Sequence, residues 1–254
     1  MKSPPLADAS HIAPGLLVGP GVEIPDDTEI DPYVTVHSGV QLGRGVSLGQ
    51  GAILGRRQRI DSRSNAIRRP DDEPTFIGDK CMIGCGSIVV AGAQLGDGCA
   101  LGDSVLVREG AVLGSFVMIG RGGLVGAAVV IHDRTRLQAG VLVAPRTTIE
   151  EDVMIGPYVV FIGDPTMGRD SPGPGAPGVI VRKRARIGTA AIFSPPLEIG
   201  EEAVIGAGSF VRDDVPPRTV VVGVPARVLR AVGDDELLPG RSAVAGGDQE
   251  LSSS

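Results

Sequence analysis

Tryptophan is absent from the 254 residues, and two tyrosines and five phenylalanines make up the whole aromatic content. An ordinary large-core α/β enzyme uses more aromatic volume than this. Cysteine is scarce too. Cys81, Cys85 and Cys99 are an odd count in a long chain, which excludes a disulfide scaffold. No uninterrupted apolar run approaches ~20 residues, so no transmembrane helix is expected. The start, Met1-Lys2-Ser3-Pro4-Pro5, has no apolar signal-peptide core. Basic charge is not in excess: the formal net charge of −6 argues against wholesale nucleic-acid binding. The expectation is a cytoplasmic protein with neither a nucleic-acid nor a membrane partner.

Glycine and proline are plentiful, at 38 and 20 residues. A helical bundle would not tolerate glycine at that density. Disorder is excluded by 42% hydrophobic residues against 21% charged ones. Collagen needs glycine at every third position, and here it falls elsewhere. The remaining class is a glycine-punctuated, β-rich chain with a core of small aliphatic residues, a composition that calls for a search for repeats.

The repeat is a hexad. From Ile12 the step lands on Val18, Ile24, Ile30, Val36, Leu42 and Leu48. It resumes at Ile77 and runs through Leu95, Leu113, Ile131 and Ile149 to Ile155. A third block goes from Val181 to Val211. Of 27 hexads, 26 begin with Ile, Leu or Val, and Phe193 is the exception. The second position is Gly in 14 hexads, and the fifth is small in all but two, Leu16 and Leu197. Each hexad therefore reads as a short strand and a corner. The aliphatic residue fills the interior, and the second-position Gly is expected to supply turn dihedrals.

This pattern resembles the hexapeptide-repeat proteins. The resemblance covers about residues 12–230 and implies an all-β fold, a left-handed parallel β-helix in which three hexads make one triangular coil. Twenty-seven hexads predict about nine coils, roughly 43 Å long at ~4.8 Å per stacked strand. Residues 1–11 are expected to be an N-terminal extension and 231–254 a flexible C-terminal tail. The register breaks at about 55–76 and 164–180, which predicts two inserted loops. Loops of that length are usually functional or disordered.

Residues 18 apart should lie above one another on adjacent coils. Ile77, Leu95, Leu113, Ile131 and Ile149 then form one column, with position 167 next. Both loops are expected on the same edge as this column's end. Two of the rarer non-glycine second-position residues, His132 and Glu150, are assigned to that edge as well. Stacked one strand spacing apart, the carboxylate would raise the imidazole pKa and fix its tautomer, as a general base needs. The bland reading is a surface His–Glu pair. Cys81 and Cys99, also 18 apart, are expected as small core filler.

The stretch Ile205-Gly-Ala-Gly-Ser-Phe-Val-Arg-Asp-Asp-Val-Pro-Pro-Arg218, followed by Val222-Gly-Val-Pro-Ala-Arg227, is similar to the terminal coil of hexapeptide acyltransferases that use acetyl-CoA. The resemblance implies acetyl-CoA, or another acyl-CoA, as co-substrate. It places Arg212 and Arg227, with Arg218, near the CoA phosphates and the pantetheine arm against Gly206-Ala207-Gly208. Phe161-Ile-Gly-Asp164, before Thr166 and Arg169, resembles a divergent F-T-N-D…R segment of N-acetyltransferases acting on nucleotide-linked amino sugars. It implies an acceptor site at Asp164, Thr166 and Arg169, and the proton acceptor is then either His132, steered by Glu150 as the column arithmetic places them, or Asp164. In the first loop, Arg68 and Arg69 hold a diphosphate, grip a neighbouring subunit, or are solvated; these readings stay open.

The resemblance thus implies an acyl-CoA-dependent N-acyltransferase, a homotrimer acting on an amino sugar or nucleotide sugar without a metal. An O-acetyltransferase on a hydroxyl and a non-catalytic β-helix that mediates assembly are the alternatives. A γ-type carbonic anhydrase needs three zinc-binding His. His11, His37 and His132 fall far apart on the coil map.

Overall fold

The computed structural model describes residues 5–59, 73–166, 169 and 178–238. Short strands of two to five residues stack into three sheets, forming a left-handed parallel β-helix. Along each coil the chain visits the three faces in turn. Leu124–Val125 lies on the first, Val130–Ile131 on the second and Arg136–Leu137 on the third, before Leu142–Val143 returns to the first. Among the described residues the faces hold 11, 8 and 11 strands. The register is three hexads per coil: Leu95 pairs with Leu113, Leu113 with Ile131, and Ile131 with Ile149.

The first-position aliphatics point inward and are buried along most of the axis. Each fully buried one contributes about 1.5–3 kcal/mol by leaving water. Ile12 departs from the expectation: it is exposed, and Ala13 and Leu16 fill the first layer instead. Residues Ala7–Asp8 pair antiparallel with Leu17–Val18 and close the N-terminal end. At the other end Arg227–Ala231 pairs antiparallel with Thr219–Val222. The tail expected from residue 231 begins as ordered chain. Val232 is buried, and the Arg230 guanidinium grips Glu236 at 2.6 and 2.9 Å. Residues 239–254 lie outside the described residues.

The small fifth position has a polar reason as well as a steric one. Cys81 Sγ, Ser87 Oγ, Cys99 Sγ and Thr135 Oγ1 each donate to a carbonyl of the coil above, of Gly96, Gly102, Gly114 and Glu150, at 2.7–3.2 Å. A buried hydroxyl or thiol is thereby satisfied within the stack. Cys81 and Cys99 are interior filler, as read from the sequence.

The role expected of the second-position glycines needs correction. A Cβ on Gly84 would stand 2.6 Å from Asp103 N and from Gly102 O. Glycine is needed there because the backbone of the next coil passes too close for a side chain. The left-handed dihedrals belong instead to the fourth position, where Gly122 (φ 67°), Ala128 (φ 54°) and Arg134 (φ 58°) sit.

The column of Ile77 to Ile149 does not end at position 167. It continues downward to Leu42 and upward to Val181. Leu42 pairs with Ile77, and Ile149 with Val181, in each case across more chain than one coil needs. The loops are therefore inserts in otherwise continuous coils. The first loop leaves after Ile53–Arg56 and the second after Val160–Phe161, both strands of the first face, and both return to the second. They share one edge, as expected. Phe161 and Phe193 pair where the second loop departs. Their rings stack at 4.9 Å in the interior and hold the register across the insert.

Candidate active site

His132 and Glu150 do not lie on the loop edge. They follow Val130–Ile131 and Thr148–Ile149, the strands of the second face, and so occupy the edge between the second and third faces. The loops occupy the edge between the first and second. The expectation failed because the column's first-position residue ends a strand, whereas each loop precedes one.

On its edge His132 is exposed, and its backbone N donates to Ile149 O at 2.8 Å. Its neighbour Asp133 accepts from Ser115 N at 2.8 Å and fixes the corner. Glu150 is already engaged. Its Oε1 accepts from Arg182 Nη1 and its Oε2 from Lys183 N, each at 2.8 Å. Arg182 bridges onward to both oxygens of Glu198 at 2.7 and 3.0 Å. The Arg182 guanidinium holds the Glu198 carboxyl below its ordinary range. Among the described residues no hydrogen bond or ion pair joins His132 to Glu150. The expected steering pair is replaced by a Glu150–Arg182–Glu198 chain. The second insert concealed it, since it sets Arg182 rather than position 168 directly above Glu150.

Asp164 stands on the loop edge. Its Oδ1 accepts from Thr166 N at 2.8 Å and Thr166 Oγ1 at 2.6 Å, closing a local turn. Arg169 is exposed, and its N donates to Thr166 O at 3.3 Å. Arg68 and Arg69 lie outside the described residues. In one chain His132 and Asp164 are thus separated by the width of the second face.

The last coil gathers some of the expected cofactor residues. Arg212 and Arg227 line one pocket of about 280 Å³ together with Asp213 and Asp214, walled by Val211, Val221, Ala226 and Val228. Arg212 comes from the corner after Phe210–Val211. Arg227 comes from the closing antiparallel strand, which Ala226 N anchors to Phe210 O at 2.8 Å. Arg218 does not line this pocket. Its N donates to Glu201 O at 2.8 Å on the edge of His132. Gly206-Ala207-Gly208 turns the third edge, between the third and first faces. Just below it a shallow apolar groove of about 490 Å³ runs past Gly156, Gly188, Thr189 and Ile205. A Cβ on Gly188 would lie 2.5 Å from Ala207 N, so this edge is bare backbone.

Four arginines were missed in the sequence. Arg134, Arg136, Arg184 and Arg186 converge on another pocket, between the second–third edge and the third face. Two coils and the second insert separate Arg136 from Arg186, so a step of three hexads does not find the pair. Among the described residues no group of three His, Cys, Asp or Glu side chains is placed to hold a metal ion. Among them, too, no helix is long and apolar enough to cross a membrane.

The family model described as "Hexapeptide repeat of succinyl-transferase" matches residues 74–144 and 178–212, the coils on either side of the second loop. Galactoside O-acetyltransferase of Escherichia coli K12 is 48% identical over 48 residues, 19% of this chain and 24% of that protein. The 2,3,4,5-tetrahydropyridine-2,6-dicarboxylate N-acetyltransferase of Enterococcus faecalis is 39% identical over 61 residues, 24% of this chain and 26% of that one. The chain thus spans about a quarter of the length of these curated relatives. Among solved structures, the UDP-N-acetylglucosamine acyltransferase of Campylobacter jejuni superposes with a TM-score of 0.57 at 18% identity. The match covers 86% of this chain and 73% of that one, a likeness of fold. By its three-hexad coil, its repeat and these matches, the chain carries the hexapeptide repeat that this family model describes and has a fold like that of a hexapeptide-repeat acyltransferase.

Proposed function

We propose that the protein is an acyl-CoA-dependent acyltransferase, using acetyl-CoA to acylate the amino group of a sugar, a nucleotide-linked one in particular. The observation that carries this reading is the convergence of Arg212 and Arg227 on one pocket at the final coil. Two permanently charged, multidentate donors suit the CoA phosphates. The bare edge at Gly188 and Gly206-Ala207-Gly208 suits an extended arm laid against backbone. Local matches to an O- and an N-acetyltransferase support acyl transfer without choosing between them. A co-substrate of this kind fits a cytoplasmic setting.

In the reaction the acceptor amine attacks the thioester carbonyl carbon. The amine proton passes to a base, the C–S bond breaks, and the CoA thiolate leaves and is protonated. His132 is the base we assign, with Asp164 orienting the acceptor together with Thr166 and Arg169. Glu150 acts at a distance, holding Arg182 and the corner above His132. Because His132 and Asp164 sit on different edges, one site needs two protomers. A homotrimer supplies this. The outer side of the first face supports such an assembly: Ile88, Leu106, Leu124, Leu142, Val160 and Ile192 form an unbroken apolar column half-exposed or exposed to solvent. Contiguous patches of this kind mark association surfaces.

Thermal unfolding with acetyl-CoA tests the donor site. At a hundred times its dissociation constant the ligand adds about 2.7 kcal/mol of stability. Arg212→Ala is expected to weaken acetyl-CoA at least tenfold. Equal stabilisation of variant and wild type removes Arg212 from the site.

A further inference from the structure

The four arginines of a pocket on the third face have no role in the reaction as described above. The pocket is a cavity of about 310 Å³ lined by Arg134, Arg136, Arg184 and Arg186 against one carboxylate among the described residues, Asp152. The edge arginines are neutralised. Arg134 pairs bidentately with Asp152 at 2.9 and 3.0 Å, and Arg184 Nη1 lies 3.6 Å from Glu202. The two on the face are not. Among the described residues neither Arg136 nor Arg186 has a carboxylate at ion-pair distance. Arg186 Nη1 donates to backbone carbonyls, of Asp152 at 2.7 Å and Ala185 at 3.1 Å, which orient it without discharging it.

The register spaces these two cations. Arg136 pairs with Met154 and Met154 with Arg186, so their backbones stand two strand spacings apart, about 9.6 Å. Burial holds the Arg186 guanidinium below its ordinary pKa. Glu202 and Asp152 oppose this, and the Arg136 and Arg184 charges add to it. Arginine nonetheless stays charged at neutral pH. Two like-charged side chains rooted two strands apart in one cleft are stabilised by an anion bound between them. Phe116, Met154 and Leu238 add apolar walls. Met154 and Arg186 also line the apolar groove that runs on to Gly156 and Gly188. The charged end and the apolar end are one continuous cleft across the third face.

We propose that this cleft is an anion-binding site that takes the phosphate or diphosphate group of a small molecule, held by Arg136 and Arg186, with the rest of the molecule lying over Met154 toward Gly156 and Gly188. It is separate from the Arg212–Arg227 pocket. Only the identity of the molecule rests on the acyltransferase reading, since both an acyl-CoA and a nucleotide-linked acceptor carry a diphosphate.

The test is calorimetric titration of the full chain with pyrophosphate at low salt, in wild type, Arg136→Gln, Arg186→Gln and Arg212→Ala. Arg136 is exposed and makes no side-chain bond among the described residues, so its substitution leaves the coil intact; an unchanged melting transition verifies this. Saturable binding is expected, weakened at least tenfold by Arg136→Gln and by Arg186→Gln and within twofold of wild type in Arg212→Ala. Repeating the titrations with CoA and with uridine diphosphate distinguishes the two sources: the true source is the one that Arg136→Gln weakens tenfold. No saturable pyrophosphate binding in wild type, or binding within twofold of wild type in Arg136→Gln, overturns the proposal. The titration needs no turnover, so its failure leaves the acyltransferase reading standing, and that reading fails separately if acetyl-CoA does not bind.

Discussion

Gly84→Ala is expected to destabilise the coil by about 3 kcal/mol, the upper part of the range for forcing extra volume into packed structure. The added Cβ meets only backbone, at Asp103 N and Gly102 O, so no flexible side chain can swing away. The clash also falls on the ladder itself, because Gly84 N donates to Leu101 O at 2.8 Å. Against a total stability of about 5–15 kcal/mol this is a large share. Gly122→Ala is the matched control. Gly122 has φ 67°, and a Cβ added there would meet nothing within 4 Å. Ala128 and Ala190 hold the same conformation at equivalent corners. The control should cost about 1 kcal/mol. Chemical denaturation of both variants decides the matter. A larger loss at Gly122 than at Gly84 would show that dihedral strain, rather than close approach of coils, governs the repeat.

His132→Ala is expected to lower turnover by about a hundred- to ten-thousandfold, the usual contribution of a positioned base. Wild-type turnover in that variant removes His132 from the chemistry. A second experiment addresses the geometry. His132 lies on the second–third edge and Asp164 on the first–second edge, so the proposed site joins two protomers. Asp164→Asn should also be impaired. Co-expressing the two variants creates mixed assemblies in which some sites draw His132 from one chain and Asp164 from another. With random mixing in a ring, about a quarter of the sites are intact, and activity should return to about that fraction of wild type. A mixture no more active than either variant alone contradicts the shared site.

The interior was open to sequence reading because its rule is simple. One aliphatic at the head of all but one hexad leaves the column of Ile77, Leu95, Leu113, Ile131 and Ile149 no other place. The common edge of the two loops followed from the same arithmetic. What surrounds the columns was less accessible. Glycine at the second position was read through its dihedral freedom, whereas Gly84 and Gly188 are fixed by atoms of the next coil, which a single strand of text does not display. Column arithmetic puts His132 and Glu150 one edge away, because it does not distinguish the start of a strand from its end. The partners of Glu150 and the pairing of Arg136 with Arg186 across Met154 were displaced from their columns by the second insert. Arg212 and Arg227 are not a whole number of hexads apart. What unites them is the final antiparallel turn, a departure from the repeat.

Acyl transfer from CoA to an amine is open to a direct measurement. Free CoA thiol released from acetyl-CoA is followed with a thiol-reactive dye, in the presence of amino sugars, their nucleotide-linked forms and matched hydroxyl sugars. The expected result is thiol release that depends on the amine-bearing acceptor, is greatest with a nucleotide-linked one, and falls in both Arg212→Ala and His132→Ala. Release with hydroxyl acceptors alone would contradict N-acylation. No acceptor-dependent release from a protein that binds acetyl-CoA would contradict the assigned acceptor class, and failure to bind acetyl-CoA at all would contradict acyl transfer itself.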